Sequence, residues 1–189
     1  IFNFCLNPWC LAQHTTTKIF DRLKFSVEED VPHSELIKTL ITTHGGEINS
    51  HSDYVVVNHF FKGAHGAILV TPLWIWRCIG SKQLLDIESF NAFSPFSFEE
   101  PEIGKVSFVD IHTPQTLRTT DLLRALGAQV YFSLSSKVNY IIATTPSNDV
   151  KHFAESHNIP IQPPSWVISF TEFKHNSPIN EKFLRIIQK

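Results

Sequence analysis

Short apolar runs alternate along the chain with longer stretches whose apolar residues recur at helical spacing. The run at residues 23–27 predicts a β-strand, and four Leu and Ile residues within 34–43 predict an amphipathic helix. Gly45 and Gly46 follow, where a glycine can take the left-handed conformation that ends a helix without a Cβ clash. The pattern therefore predicts a strand, a helix and a turn in this order.

The next two apolar runs, residues 54–57 and 67–70, are rich in β-branched residues and predict two more strands. A helix is predicted from Pro72, because proline fits the first turn of a helix, and Trp74 lies inside it. These two strands and this helix complete one set of elements.

The same order then recurs. The second copy has a strand at 106–109, a helix at 117–126 that ends at Gly127, a strand at 140–143, an edge strand at 159–161 and a helix that contains Trp166. Continuous apolar strands alternating with helices are typical of parallel sheets covered on both faces. The sequence thus predicts an α/β fold with two such sheets, built by an internal repeat.

The two copies differ in length at one place. The offset between equivalent positions is 82 from Gly45 to Gly127, 86 from Tyr54 to Tyr140 and 92 from Trp74 to Trp166. The second copy has therefore gained residues after Tyr140, enough for an additional helix. The first copy has only residues 58–66 there, a stretch too short and too glycine-interrupted to hold a stable helix.

These landmarks resemble the BRCT family over residues 20–92 and 104–175. The resemblance implies two tandem BRCT modules, each a four-stranded parallel sheet flanked by helices, the first with a truncated second helix. It assigns structural roles to the turn glycines and to the tryptophans of the last helices: Gly45, Gly46, Gly127, Trp74 and Trp166.

Four segments are predicted. Residues 1–19 form an extension docked on the first module, 20–92 the first module, 93–104 a linker and 105–189 the second module with a C-terminal tail. The linker is dense in Phe and Glu, so we expect it to pack on the modules and orient them. A chain that opens on isoleucine and has no methionine is expected to be part of a longer protein.

Composition argues against several functions. A net charge of −2 and a pI of about 6.6 disfavour direct nucleic-acid binding. No apolar run approaches the ~20 residues that a membrane-spanning helix needs. Three cysteines are too few for a disulfide framework and suit a reducing compartment better. Cys5, Cys10 and His14 lack an evident fourth metal ligand. Without a glycine-rich phosphate loop or a nucleophile motif, no catalytic residue, small-molecule substrate, cofactor or metal is expected.

The resemblance also implies a candidate binding site. In family members that read phosphopeptides, the phosphate is held by a hydroxyl from the first strand–helix loop, a backbone N–H and a lysine at the start of the second helix. Lys151 occupies the lysine position in the second copy. Independently of the family, a helix N-terminus supplies free N–H donors and partial positive charge, and an ammonium adds a charge-assisted hydrogen bond.

The other candidate ligands are less regular. Thr144 and Ser147 are further donors beside Lys151, whereas Val109 stands where the hydroxyl is expected, so Thr113 is the substitute hydroxyl and Arg118 a second cation. Asp149 lies close to this site and counts against anion binding. In the first copy the secondary candidates are the Ser26 hydroxyl and the Lys62 ammonium.

Three functions follow as hypotheses. The leading one is a non-catalytic scaffold that binds phosphorylated Ser or Thr segments; the alternative is a structural BRCT pair for phosphate-independent association or self-association. A nucleotide-using α/β enzyme is the third, disfavoured by the missing glycine-rich turn. The pairing of a truncated module with a fuller one resembles the central pair of the topoisomerase-binding replication and checkpoint scaffolds, fungal forms included. That implies phosphorylated checkpoint or replication proteins as partners, in the nucleus.

Overall fold

The computed structural model describes residues 17–63, 65–109 and 114–172. The chain divides into two compact units, the first made of residues 1–58 and 63–93 and the second of 59–62 and 94–189. Most of the predicted N-terminal extension and C-terminal tail lies outside the described residues, as do Cys5, Cys10, His14 and Thr113.

The first unit is a four-stranded parallel sheet with the strand order β2-β1-β3-β4. Its elements are β1 Lys24–Val27, α1 Ser34–Thr43, β2 Glu47–Ile48, β3 Tyr54–Val56, β4 Ile68–Val70 and α2 Pro72–Ser81, followed by two short 3₁₀ turns, Ile87–Ser89 and Asn91–Phe93. No helix connects β3 to β4 in the described part of the chain, which agrees with the predicted truncation.

The second unit repeats this sheet in the order β6-β5-β7-β8, again parallel throughout. Its elements are β5 Lys105–Phe108, α3 Pro114–Ala125, β6 Gln129–Tyr131, β7 Tyr140–Ile142, α4 Asn148–His157, β8 Ile161–Gln162 and α5 Pro164–Glu172. The additional helix α4 lies where the length difference predicted it. The fold class is therefore confirmed; α3 begins three residues earlier than expected, at Pro114, because proline suits a first turn.

The glycines that end α1 have separate reasons to be glycine. Gly45 has a φ of +92°, which strains any residue with a Cβ. Gly46 lies so close to the core that an added Cβ would stand 2.6 Å from the Cγ2 of Ile41. Gly127, at the end of α3, has a φ of +83° and matches Gly45.

Trp74 lies in the core of the first unit and is 1% exposed. Its indole N–H donates to the Leu85 carbonyl at 3.0 Å, and its ring stacks on Tyr54 with centroids 5.4 Å apart. The rings of Phe20 and Phe25 also cover the Trp74 ring, with their centroids 6.0 and 6.5 Å from its centroid.

Trp166 is only half-buried, which corrects the expectation that it is a core residue like Trp74. It keeps the partner equivalent to Tyr54, since its ring lies 4.8 Å from that of Tyr140, and it also contacts Phe170 at 5.0 Å. The equivalents of Phe20 and Phe25 are not aromatic. Strand pairing makes Val106 equivalent to Phe25, an offset of 81 residues, and the same offset aligns Pro101 with Phe20. Smaller neighbours therefore leave one side of Trp166 in water.

Two absences concern the described residues alone. None of the helices found there is long and apolar enough to cross a membrane. Across 17–63, 65–109 and 114–172, no group of His, Cys, Asp and Glu side chains is arranged to hold a metal ion.

Candidate phosphate-binding site

The strand order of the second unit places a topological switch point between β5 and β7, where a crevice is expected. The chain leaves β5 through α3 toward β6 on one side, and leaves β7 through α4 toward β8 on the other. Both connections are parallel crossovers, which are right-handed in nearly all proteins, so α3 and α4 cover opposite faces of the sheet. A crevice opens at the carboxyl ends of strands where the direction of winding changes, and such crevices are where open α/β sheets bind ligands.

The start of α4 is fixed at this crevice by capping and by packing. Ser147 is the N-cap, and its Oγ accepts a hydrogen bond from the Val150 N–H at 3.3 Å. Val150 and Ala154 are buried on the sheet against Ile141 and Ile159. Helical geometry then turns the neighbouring polar positions outward.

Lys151 lies in the first turn and a half of α4 and is exposed. Its backbone N–H closes the first helical turn on the Ser147 carbonyl at 3.0 Å, which leaves only the ammonium available for a ligand. Thr144 and Ser147 lie in the short segment that connects β7 to α4, and both are exposed. Thr144 and Ser147 thus lie in the connection that leads into α4, and Lys151 lies just inside the helix.

The β5 side of the crevice is described only in part. Val109 extends β5, since its N–H donates to the Ile142 carbonyl at 3.1 Å and its half-buried side chain packs on the cluster beneath α4. It therefore supplies no polar group to the crevice. Arg118 is exposed on the second turn of α3, while Thr113 lies outside the described residues.

Charge around the start of α4 is mixed. Asp149 is in the first turn and exposed; there its carboxylate stabilises the helix dipole but competes electrostatically with a bound anion. Lys151 also borders a shallow groove whose other walls are Ala154, Glu155 and the 158–161 segment. The groove beside the ammonium is lined by both polar and apolar groups.

The first unit does not assemble the secondary candidates. The Ser26 hydroxyl hydrogen-bonds that of Ser52 at 2.9 Å. Strand register makes Ser26 equivalent to Ser107, two residues before the position of Val109; Ser107 is fully buried and donates to the Ser133 carbonyl at 2.9 Å. Ser26 thus holds a loop in place, as its counterpart does.

Lys62 belongs to the second unit, whereas Ser26 belongs to the first. The Lys62 ammonium pairs with the Glu99 carboxylate at 3.1 Å, in an exposed ion pair. Such pairs contribute little to stability but occupy the charge.

An aromatic clasp, formed by His59, Phe60, Phe96 and Phe98, joins the phenylalanine-rich linker to residues 59–60, a partner that was not predicted from the sequence. The Phe96 N–H donates to the His59 carbonyl at 2.6 Å, and the Phe96 ring lies 5.4 Å from Phe60 and 5.0 Å from Phe98. The segment that replaces the missing helix of the first repeat thereby packs on the linker. The density of phenylalanine in both segments was the available signal.

His59 is the titratable member of the clasp, and its pKa is shifted. Its Nε2 is buried and has no hydrogen-bond partner among the described residues. Burial disfavours the charged imidazolium and lowers the pKa of His59 to about 4. A neutral His59 is therefore part of the folded clasp.

Comparison with known proteins agrees with this architecture. The sequence model of the BRCT domain matches residues 18–91, and that of the BRCA1 C Terminus (BRCT) domain matches residues 106–170. No curated protein matches the chain at a significant level.

Among solved structures, S. pombe Rad4 BRCT3,4 is 19% identical, with a TM-score of 0.58, over 82% of this chain and 92% of that one. Yeast Rtt107, in a structure with Slx4, is 12% identical with a TM-score of 0.65, over 90% of this chain and 44% of that one. At these identities the likeness concerns the fold alone. The chain belongs to the BRCT family and carries two BRCT domains in tandem.

Proposed function

We propose that this chain is a non-catalytic scaffold that binds a phosphorylated Ser or Thr segment of a partner protein, with the phosphate at the N-terminus of α4. Residues 20–92 and 105–189 are the two modules, and the second is the reader. The observation that carries the proposal is the exposed Lys151 in the second turn of α4, a helix with a capped N-terminus that follows β7 at the topological switch point.

The chemistry of this place suits a phosphate dianion. The first N–H groups of a helix have no intrahelical acceptor, and the helix dipole adds partial positive charge. The Ser147 hydroxyl accepts from Val150, so its own proton remains for donation, as a hydroxyl can do both. Thr144 lies on the same connection, and Thr113 and Arg118 approach from the β5 side in this proposal.

The groove beside Lys151 supports peptide rather than free phosphate as the ligand. Its floor includes Ala154 and Ile159, which are nearly fully buried, and Glu155 lies one turn beyond Lys151. An extended segment that places its phosphate at Lys151 has room for a neighbouring side chain on this floor. The groove thus supplies contacts that depend on sequence.

The partners we propose are phosphorylated checkpoint or replication proteins, and the place of action is the nucleus. This follows from the resemblance to tandem BRCT scaffolds, and the Rtt107 structure pairs a protein of the same fold with another protein, Slx4. The net charge of −2 gives no reason to propose nucleic acid as the direct ligand.

The second candidate function is phosphate-independent association of a structural BRCT pair. Asp149 favours it, because a carboxylate in the first turn of α4 opposes a bound dianion. Val109 also favours it, because it leaves the end of β5 without a hydroxyl.

A paired-library experiment separates the two. The fragment is incubated with a degenerate phosphoserine and phosphothreonine peptide library and with its dephosphorylated twin, using wild type, Lys151→Glu and Lys137→Glu. Lys137 is an exposed lysine in the loop between β6 and β7, so its variant makes the same charge change outside α4 and the connection that precedes it. We expect phosphate-dependent binding that Lys151→Glu reduces by about tenfold or more and Lys137→Glu preserves. Equal binding to both libraries would favour the structural pair.

A further inference from the structure

The connection between β7 and α4 contains an accessible Thr-Pro pair. Thr145 is exposed in an irregular segment and is followed by Pro146. No hydrogen bond to the Thr145 hydroxyl is found in the described part of the chain, while Ser147, two residues later, is engaged as the helix cap. Thr145 therefore presents an accessible hydroxyl outside any helix or strand, which a protein kinase needs in its substrate.

A second Thr-Pro pair shows what an inaccessible one looks like. Thr71 precedes Pro72 at the start of α2, is fully buried and donates its hydroxyl to the Ala92 carbonyl at 2.6 Å. The two threonines share the local sequence signal and differ in exposure. Thr71 is thus a built-in control for accessibility.

We propose that Thr145 is a phosphorylation site for a proline-directed protein kinase, and that its phosphate closes the α4 site to a phosphorylated partner. This rests on the proposed function of that site. In the transfer, the Thr145 Oγ1 attacks the γ-phosphorus of ATP. The bond from that phosphorus to the β,γ-bridging oxygen breaks, the hydroxyl proton passes to the kinase's catalytic carboxylate, and ADP leaves.

The position of Thr145 explains the blocking effect. One residue, Pro146, separates it from the N-cap Ser147, and these two steps along the chain span at most about 7 Å, so its phosphate lies within reach of the Lys151 side chain. Phosphothreonine carries nearly two negative charges at neutral pH and is stabilised at a helix N-terminus. An intramolecular dianion competes for Lys151 at high effective concentration and repels a second phosphate.

The first test is phosphorylation itself. The fragment is treated with a purified proline-directed kinase and ATP, and the modified residues are mapped by mass spectrometry in wild type, Thr145→Val and Pro146→Ala. We expect phosphate on Thr145 and none on Thr71, and loss of the Thr145 signal in both variants. A wild-type fragment that stays unmodified at Thr145 overturns the site, whether or not the fragment binds phosphopeptides.

The second test is the block. We expect protein phosphorylated on Thr145 alone, separated from any species modified on Thr113, to bind the phosphopeptide selected above about tenfold or more weakly than unphosphorylated protein, with unphosphorylated Thr145→Val unchanged. ³¹P NMR gives a readout without any partner: the second pKa of phospho-Thr145 should fall below its usual value of about 6, and Lys151→Gln should restore it. An unshifted pKa or an undiminished affinity at full phosphorylation overturns the block. If the fragment binds no phosphopeptide at all, the proposed function is contradicted. The ³¹P measurement then still tests whether phospho-Thr145 contacts Lys151.

Discussion

Ser147 has one observed role and one proposed role, and single substitutions can separate them. Its Oγ caps α4 by accepting from the Val150 N–H, and we propose that its exposed hydroxyl also donates to the phosphate. A residue that keeps the cap and changes the charge should therefore affect binding and stability differently. Aspartate is such a residue, since it caps helices as well as serine does.

We expect Ser147→Ala to destabilise the fragment by about 1 kcal/mol, because the first turn of α4 loses its cap. Ser147→Asp should unfold like wild type in urea, yet lose phosphopeptide affinity, because a fixed carboxylate repels the phosphate. Urea titration and peptide binding measure the two effects. Unchanged affinity in Ser147→Asp would place the phosphate elsewhere.

His59 gives the aromatic clasp a dependence on pH. Its pKa is about 4 in the folded protein and 6.5 in an exposed reference, so the unfolded chain takes up the proton first as pH falls. The contribution of neutral His59 to the free energy of unfolding is fully present above about pH 6.5. It declines between about pH 6.5 and pH 4, by about 3 kcal/mol in total. Acidification should thus loosen the clasp.

The measurement is urea unfolding of wild type and His59→Phe between pH 7 and pH 4. Phenylalanine keeps a ring against Phe96 and cannot be protonated, so the variant should lose less stability over this interval. Carboxylates titrate in both proteins, so the difference between the two curves isolates His59. Parallel curves would show that the buried imidazole does not govern this dependence.

Local sequence predicts a residue's type of environment better than its depth. The repeat placed Trp74 and Trp166 at equivalent points of their helices, and each contacts the equivalent tyrosine, Tyr54 or Tyr140. Their burial differs because Phe20 and Phe25 reach Trp74 from distant positions in the chain. No periodicity within a helix carries that information.

At the scale of elements, α2 and α5 should therefore respond unequally to loss of their tryptophans. Trp74→Ala removes a fully buried ring and should cost roughly 3–5 kcal/mol. Trp166→Ala removes a half-buried one and should cost clearly less, leaving the second domain folded. Denaturant unfolding of both variants, followed by circular dichroism, checks the order; equal losses would show that exposure does not set the cost.

The order of elements was predictable because each is encoded locally, by apolar period, β-branched runs and a glycine or proline at its end. The additional helix α4 followed from a length difference alone. Register and long-range packing were not predictable. From sequence, Ser26 was assigned the hydroxyl position that Val109 occupies in the second copy, yet strand pairing makes it equivalent to Ser107. The aromatic clasp joins segments that lie more than 30 residues apart in the chain.

At the scale of the whole chain, the two BRCT domains share a fold and differ at the same structural place. After β3 the chain forms the aromatic clasp and returns without a helix; after β7 it forms α4 with a capped N-terminus and an exposed lysine. Only the second arrangement offers free N–H donors beside a cation. We therefore expect the two domains to divide their roles, with ligand reading in the second.

The most direct test is backbone amide NMR of the fragment titrated with the selected phosphopeptide and with its unphosphorylated form. We predict that phosphate-dependent shifts concentrate on Ser147, Asn148, Asp149 and Lys151 and on the segment after β5. Shifts that are the same for both peptides, or that concentrate in the first domain, would contradict it.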